Sequence, residues 1–389
     1  MRLAYTEEEE EFRARLRTWL ADVLPTLPPR PDPLDWQARR TYDMDWQRRL
    51  YDAGYAGLHW PKDAGGQGAT PTQHLIFLEE TEAAGAPYVG AGFVGLLHAG
   101  PTIAAEGSPR QRARWLPPIL RGEEVWCQGF SEPDAGSDLA RLRTRAVRDG
   151  DTYVVTGSKI WTSHAEVADW CELLVRTDPE APRHHGITWL ALPMDTPGVT
   201  VRPLRTLAGS HEFAEVFLDE VRVPVDNRVG AENDGWRVTM VTLSFERGTA
   251  FVGEVVACRR TLRLLARRAR HNGRWDDAAV RRRLGRLNAE FSALWRLIQW
   301  NVSEAAHGLR QGGTGVPGAG GSVFKLRYSQ ARQELYDAAA AVLGPAALDL
   351  AEEWALERLS SLSYTIAAGT SQIQHNIVAE RILGLPKGR

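Results

Sequence analysis

The hydrophobic pattern of the chain changes period twice, and this constrains the fold more than any single motif. From Thr6 to about Gly122 apolar residues recur at helical spacing, as in Phe12, Leu16, Trp19 and Leu20, which gathers them on one face of a helix. Near Val125 short segments rich in Val, Thr, Trp and Tyr take over: Arg141–Val147, Thr152–Thr156, Leu173–Arg176, Ile187–Leu192 and Glu215–Leu218. These read as antiparallel strands of a small barrel or sandwich, with Asp149-Gly150 as a hairpin turn. From Gly235 onward helical spacing returns over roughly 235–270, 277–310, 322–343, 345–359 and 371–383. The chain therefore reads as α+β in three parts: a helical N-terminal domain over 1–123, a β domain over 124–229 and a helical bundle over 230–389.

Local signals sharpen this outline. Ser108-Pro109-Arg110-Gln111 is a helix start, because serine caps, proline wastes no amide hydrogen and glutamine reaches back; the helix should run to Leu120. His59–Gly68, HWPKDAGGQG, holds too much Pro and Gly for a helix and predicts an ordered loop. Gly312–Gly321, GGTGVPGAGG, predicts a mobile connection between bundle helices; its glycines lack the spacing and the Lys-Ser/Thr of a phosphate loop.

Charge and composition exclude several classes. Acidic residues number 49 and basic residues 47, so there is no bias toward nucleic acid or anionic membrane. No apolar run approaches the length of a membrane span, and the acidic start Glu7–Glu11 opposes a signal sequence, which predicts a soluble cytoplasmic protein. Cys127, Cys171 and Cys258 lack zinc or disulfide spacing and read as buried thiols. Four lysines accompany 43 arginines, a skew read as genome composition. Hydrolase, metalloprotease and P-loop motifs are missing, His184-His185 reads as surface loop, and no metal site is expected.

Two features carry chemistry. Gln128–Asp138, QGFSEPDAGSD, is dense with small donors. Its amides and the Ser131 and Ser137 hydroxyls, with Gly136 permitting close approach, suit a planar heterocycle and a pyrophosphate, or equally a turn between strands. Trp161-Thr162-Ser163 likewise suits a flavin ring or a barrel core. On the first bundle helix, Glu246 falls within about 40° of Thr239, Thr242, Ala250 and Gly253 at 100° per residue. A carboxylate on such a strip points into unfilled space, as a substrate cavity requires, or else pairs with Arg247 or a neighbouring helix.

QGFSEPDAGSD, then GSKIWTS, then AGTSQIQHNIVAERILG near the end, with WPKDAGGQG upstream, resemble the acyl-CoA dehydrogenase family in order and spacing over essentially the whole chain. The resemblance implies a helical N-terminal domain, a middle antiparallel β-barrel and a C-terminal four-helix bundle, with FAD between the last two and across a subunit interface. It implies that Gln128, Phe130 and Ser131 line the flavin through backbone and hydroxyl contacts. Gly136 belongs to the same cofactor loop, and Ser137 would lie near the pyrophosphate and the thioester. Trp161 would stack beside the isoalloxazine, Ser163 would bond its N5, and Thr370 and Gln372 would contact FAD.

Most members carry a glutamate base just before the tail's Gly-Thr; here that position is Ala368. In isovaleryl-type members the base comes from the first long bundle helix in a Leu-x-x-Glu-Arg setting, which Leu243–Arg247 matches, so Glu246 becomes the expected base. Phe245 and Arg247 beside it are expected at the substrate, with the amide of Arg247 or Ala368 polarising the thioester carbonyl. The family's Gln-x-x-Gly-Gly-x-Gly turn appears as Ala341–Ala347, and its Arg-x-x-Phe-Gly segment as His271–Trp275. Both departures remove cofactor contacts.

The implied reaction is α,β-dehydrogenation of an acyl-CoA to the trans-2-enoyl thioester, with proton removal by Glu246 and hydride transfer to flavin N5. An electron-transferring flavoprotein would be the acceptor, and a homo-oligomer, dimer or tetramer, the assembly. Two other readings remain: a non-catalytic or half-active subunit of a hetero-oligomer, and a flavin oxidase or monooxygenase. Gly90, Gly92, Val94 and Gly95 hint at a roomy acyl pocket or at close helix packing.

Overall fold

The computed structural model describes residues 5–249, 251–310 and 320–387, without the side chains of 244–249, 309 and 310. Helices build the N-terminal third: α1 (Glu7–Val23), α2 (Trp36–Asp52), α3 (Pro71–Ala84), α4 (Gly100–Glu106) and α5 (Pro109–Leu120). Thr6, Thr70 and Ser108 each close a capping box at the start of α1, α3 and α5, satisfying amides that the first turn leaves without partners. Phe12, Leu16 and Leu20 of α1 are buried, joining Trp46 and Leu50 of α2 in the core.

The loop at 59–68 is ordered by its own backbone. Gly66 N–H donates to Pro61 O and Gly68 N–H to Trp60 O, while the Trp60 indole, 1 % exposed, donates to Leu96 O at 3.1 Å. The small residues at 90–95 serve packing. A Cβ on Gly90 would enter the Asp43 carboxylate, which accepts the Ala91 N–H at 2.9 Å, and Gly95 lies against Ile119 and Trp126.

The middle third forms a sheet of β1 (Trp126–Gly129), β2 (Arg145–Asp149), β3 (Thr152–Ser163), β4 (Trp170–Arg176), β5 (Ile187–Pro193), β6 (Val199–Leu204), β7 (Phe213–Pro224) and β8 (Arg228–Val229). The order is β6-β7-β3-β2-β4-β5-β8, with β1 on β4. Two expectations need correcting. The sheet is open, because β6 pairs with β7 and β8 with β5 rather than with each other. It is also mixed, because β1 and β2 both run parallel to β4.

Strand limits differ as well. Leu139–Arg141 is a 3-10 turn, and Thr152–Thr156 and Trp161–Ser163 belong to one long strand bent by register shifts against β7. β6, none of whose residues is buried, is not among the expected strands. Cys127 and Cys171, distant in sequence, are register neighbours on β1 and β4, and all three cysteines are free and buried.

The last third holds α6 (Gly235–Thr249), α7 (Val252–His271), α8 (Ala278–Arg310), α9 (Gly320–Leu343), α10 (Glu353–Ser361) and α11 (Ser371–Ile377). The single helix expected over 235–270 is two, α6 and α7, which puts Gly253 on a different helix from Glu246; Ala250 lies outside the described residues. Most of the expected glycine connection lies outside the described residues; Gly320 and Gly321 open α9. Leu265, Leu287, Phe291 and Leu335 pack where α7, α8 and α9 meet, and Leu75 of α3 joins them, coupling the two helical parts. Among the described residues no helix is long and apolar enough to cross a membrane.

A Cβ on Gly66 would overlap the Cβ, carbonyl carbon and oxygen of Trp60. Gly66→Ala should therefore lower unfolding free energy by about 2 kcal/mol, measured by urea titration; a loss under about 0.5 kcal/mol would show that the loop relaxes around the methyl.

Candidate active site

The Gln128–Asp138 loop follows β1 and is held from below by a buried ion pair. Lys159 of β3, 1 % exposed, donates from Nζ to Glu132 Oε1 at 2.8 Å and to Phe130 O at 3.1 Å. Glu132 also accepts the amides of Arg143 and Thr144 at 2.6 and 2.9 Å. Burial would raise the Glu132 pKa, but the Lys159 charge and these donors hold it below the ordinary value. Ser131 O accepts the Ile160 amide at 2.9 Å, and Glu132 and Ala135 exchange backbone bonds, so the loop is a fixed turn lying along β3.

Above that base the outer surface is open. Pro133, Asp134, Gly136, Ser137 and Asp138 are exposed, Ser131 and Ser163 half-buried. A Cβ on Gly136 would meet nothing within 4 Å, so no contact inside the chain demands glycine there. Trp161 is 58 % exposed with a φ of 61°, at a register shift between β3 and β7, and Phe213 meets its ring edge-on at 6.0 Å. A bulky residue with positive φ and a bare ring is costly unless something else uses it.

The Gln128 side chain is engaged within the protein. Its side-chain amide turns inward, 2.8 Å from Glu172 Oε1 and 3.0 Å from His98 Nδ1, where both partners are buried. Only its backbone remains for a ligand. Phe130 is core, 4 % exposed.

The backbone of Phe245, Glu246 and Arg247 lies in α6; their side chains lie outside the described residues. Upstream on α6 lie Thr239 and Thr242. Both are fully buried, Thr239 Oγ donates to Gly235 O at 2.6 Å, and Thr242 Oγ lies 2.8 Å from Thr102 Oγ of α4. They moor α6 to the N-terminal helices. The tail is seated on α9: Lys325 Nζ donates to Gly369 O at 2.6 Å, and Gln374 Nε2 to Ala368 O at 3.0 Å. Thr370 caps α11 by accepting the Ile373 amide, and Gln372 is exposed. The structure thus brings the 128–138 loop and 161–163 together on the sheet, while Thr370 and Gln372 are positioned by α9.

Three profiles of the acyl-CoA dehydrogenase family match the chain: the N-terminal domain over residues 6–123, the middle domain over 127–221 and the C-terminal domain over 233–383. The chain belongs to the acyl-CoA dehydrogenase family. It is 39 % identical to acyl-CoA dehydrogenase IpdE1 of Mycobacterium tuberculosis, covering 98 % of this chain and 99 % of that one. It is 36 % identical to acyl-CoA dehydrogenase FadE26 of the same organism, over 100 % and 99 %. Among solved structures it superposes on the Tcur3481-Tcur3483 steroid ACAD with TM-score 0.83 at 31 % identity, and on the ChsE4-ChsE5 complex from Mycobacterium tuberculosis with TM-score 0.83 at 33 %, each covering 100 % of both chains.

Acyl-CoA dehydrogenases are FAD-dependent flavoproteins, and the residues present fit that cofactor. The bare, strained Trp161 offers a ring face, and the empty space over Gly136 leaves exposed loop amides free for a charged group. Sequence reasoning passed over Glu132 and Lys159, which hold this loop. The signal was there: a lysine inside a strand, in a chain where arginine is the rule.

A second carboxyl emerges that the sequence did not suggest. Glu254, in the first turn of α7, has Oε2 buried with no hydrogen-bond partner among the described residues. Burial pushes its pKa up to about 7, against the attraction of Arg332. Arg332 itself bonds Tyr328 at 2.8 Å and Glu357 at 2.6 Å and lies 4.2 Å from the Tyr364 ring centre.

Lys159→Met would strand the Glu132 carboxylate in the interior, and should cost about 3 kcal/mol in urea unfolding and weaken FAD retention on a desalting column; unchanged stability would mean that the pair does not hold the loop. Glu254 behaves oppositely with pH. Because its folded pKa exceeds the ordinary 4.5, the folded state holds its proton more tightly, so this group costs stability as pH rises from about 4.5 to 7. Glu254→Gln should gain on the order of 3 kcal/mol over the parent at pH 8 and almost nothing at pH 4; equal gains at both pH values would contradict the assignment.

Proposed function

We propose that the chain catalyses FAD-dependent α,β-dehydrogenation of an acyl-CoA, or other acyl thioester, to the trans-2-enoyl thioester, with Glu246 as base. The observation that carries this reading is Ala368 at the tail position, exposed and with a φ of 52°. A methyl there takes no proton, whereas α6 presents a glutamate in a Leu-x-x-Glu-Arg setting, moored through Thr242 to Thr102.

In this reading the Phe130 and Ser131 backbone, the Ser137 hydroxyl and the amide of Gly136 hold FAD, and Gln128 contributes its backbone. Trp161 packs against the ring and keeps water away, Ser163 donates to its edge, and Thr370 and Gln372 serve a cofactor contact from the tail. FAD supplies a two-electron acceptor for the β-hydrogen. Glu246 takes the α-proton, made acidic by the thioester carbonyl, as that C–H pair becomes the C=C bond. The Arg247 amide donates to the carbonyl oxygen where charge develops, with Phe245 against the acyl chain and Ser137 near the thioester. An electron-transferring flavoprotein is the proposed acceptor.

Assembly follows from the tail. Leu348, Leu350, Ile366 and Leu383 are each more than 60 % exposed, and such apolar surface calls for a partner. Both solved relatives named above pair two different subunits in their names, which favours a hetero-oligomer over the homo-oligomer expected from sequence. A mass above 43.2 kDa on light scattering is expected.

A second base is favoured by one observation, the Glu254 carboxyl held at about 7, a value suited to proton abstraction near neutrality. Glu246→Gln in the FAD-loaded protein should leave the flavin spectrum intact and slow flavin reduction by acyl-CoA about 10³-fold or more. Near-normal reduction in that variant, with loss in Glu254→Gln and a rate that rises with pH through about 7, would move the base to α7. A colourless protein would favour a non-catalytic subunit, and rapid reaction of the reduced protein with oxygen an oxidase.

A further inference from the structure

Between the cofactor loop and α6 lies a turn wider than that of an α-helix. Gly95–Ala99 forms a single π-helical turn, closed by the Gly100 N–H on Gly95 O, and α4 follows it directly. Such single turns recur at functional sites. Trp60 fixes this one: its indole N–H donates to Leu96 O at 3.1 Å, and a Cβ on Gly100 would overlap the indole ring. His98 sits in the turn, 4 % exposed.

His98 works in two directions. Its ring meets the start of the cofactor loop. Gln128 and Glu172 are register partners on β1 and β4, and the Gln128 amide nitrogen lies 2.8 Å from Glu172 Oε1 and 3.0 Å from His98 Nδ1. That amide has two hydrogens, one for each acceptor. The His98 backbone serves α6. Its carbonyl accepts the Thr102 hydroxyl at 2.7 Å, and the Thr102 oxygen lies 2.8 Å from the Thr242 hydroxyl, both threonines being fully buried. Thr102 has one hydrogen and gives it to His98, so Thr242 is the donor to Thr102 and the chain runs one way. The other acceptor within reach of Thr242, Val238 O, is farther at 3.2 Å.

Thr242 stands one helical turn before Glu246, so a bond at Thr242 fixes the height and rotation of the turn that carries Glu246. Taking hydrogens from adjacent carbons requires base and acceptor to be held in register, and a misplacement of about 1 Å costs about 10²-fold in rate. We propose that His98 is a positioning residue for this reaction: its ring holds the loop that binds the flavin, and its carbonyl, through Thr102 and Thr242, holds the helix that carries the base. This deepens the dehydrogenase reading and rests on it, while the first arm of its test needs no turnover.

Amide hydrogen exchange is followed by mass spectrometry on the FAD-loaded protein with any subunit that co-purifies. Loss of one buried hydrogen bond makes local opening about 10-fold more frequent. Thr102→Val should therefore speed exchange over 236–243 about 10-fold and leave 128–138 within about 2-fold of the parent. His98→Leu should speed both segments, and Thr102→Ser, which keeps the hydroxyl, neither. With saturating octanoyl-CoA or cyclohexanecarbonyl-CoA, whichever reduces the parent flavin faster, Thr102→Val should lower the limiting rate about 10²-fold and leave the half-saturating concentration within about 2-fold. In a Glu246→Gln background the same change should cost less than about 2-fold, because no base is left to displace. Unmoved exchange over 236–243 in Thr102→Val, a His98→Leu effect on one segment only, Thr102→Ser behaving like Thr102→Val, or the full rate loss in the Glu246→Gln background would overturn the proposal. A parent flavin that acyl-CoAs leave oxidised, beside the expected exchange pattern, would fault the dehydrogenase reading instead.

Discussion

The candidate cofactor surface depends on one buried ion pair. Lys159 and Glu132 would be costly to bury alone, and together they satisfy each other, two backbone amides and the Phe130 carbonyl. The pair ties the loop after β1 to the middle of β3, so the residues above it, Ser131, Gly136 and Ser137, can remain open to solvent without the turn collapsing. The same strand carries Trp161 one bulge further on. Loop and indole are thus presented from one rigid strand, the arrangement that holds binding groups to sub-ångström tolerance.

Lysine usage acquires a meaning in this light. In a chain where arginine carries nearly all positive charge, two of the four lysines are buried, Lys159 under the loop and Lys325 under the tail at Gly369. Each donates to a backbone carbonyl, Phe130 O for Lys159 and Gly369 O for Lys325. Read as genome composition alone, the skew conceals the two positions where it was not followed.

Desolvation sets the chemistry on the helical side. It keeps His59 and His74 uncharged and raises Glu254, so the space lined by the two histidines offers neutral rings rather than fixed charge, while α7 carries a readily protonated carboxyl. Such a chamber accepts apolar matter with a few polar atoms and repels ions. The coupling of α3 to α7 and α8 through Leu75 means that this chamber and the bundle core are shaped by the same packing.

Much was legible in the sequence. Periodicity located the helical thirds, and the capping box at Ser108 marked α5 to the residue, because those signals are local: a cap or an apolar stripe acts within one or two turns. The motifs marked the loop and the strand end for the same reason. Other features depend on groups far apart in sequence. The open, mixed sheet follows from β1 and β2 sharing β4, the break between α6 and α7 put Gly253 on a different helix from Glu246, and the inward turn of Gln128 required His98 and Glu172 to be brought beside it. Sequence alone determined which residue types were available and that Ala368 cannot take a proton; only the tertiary structure decided which of them lost their water, and burial is what fixes the protonation of His59, His74 and Glu254.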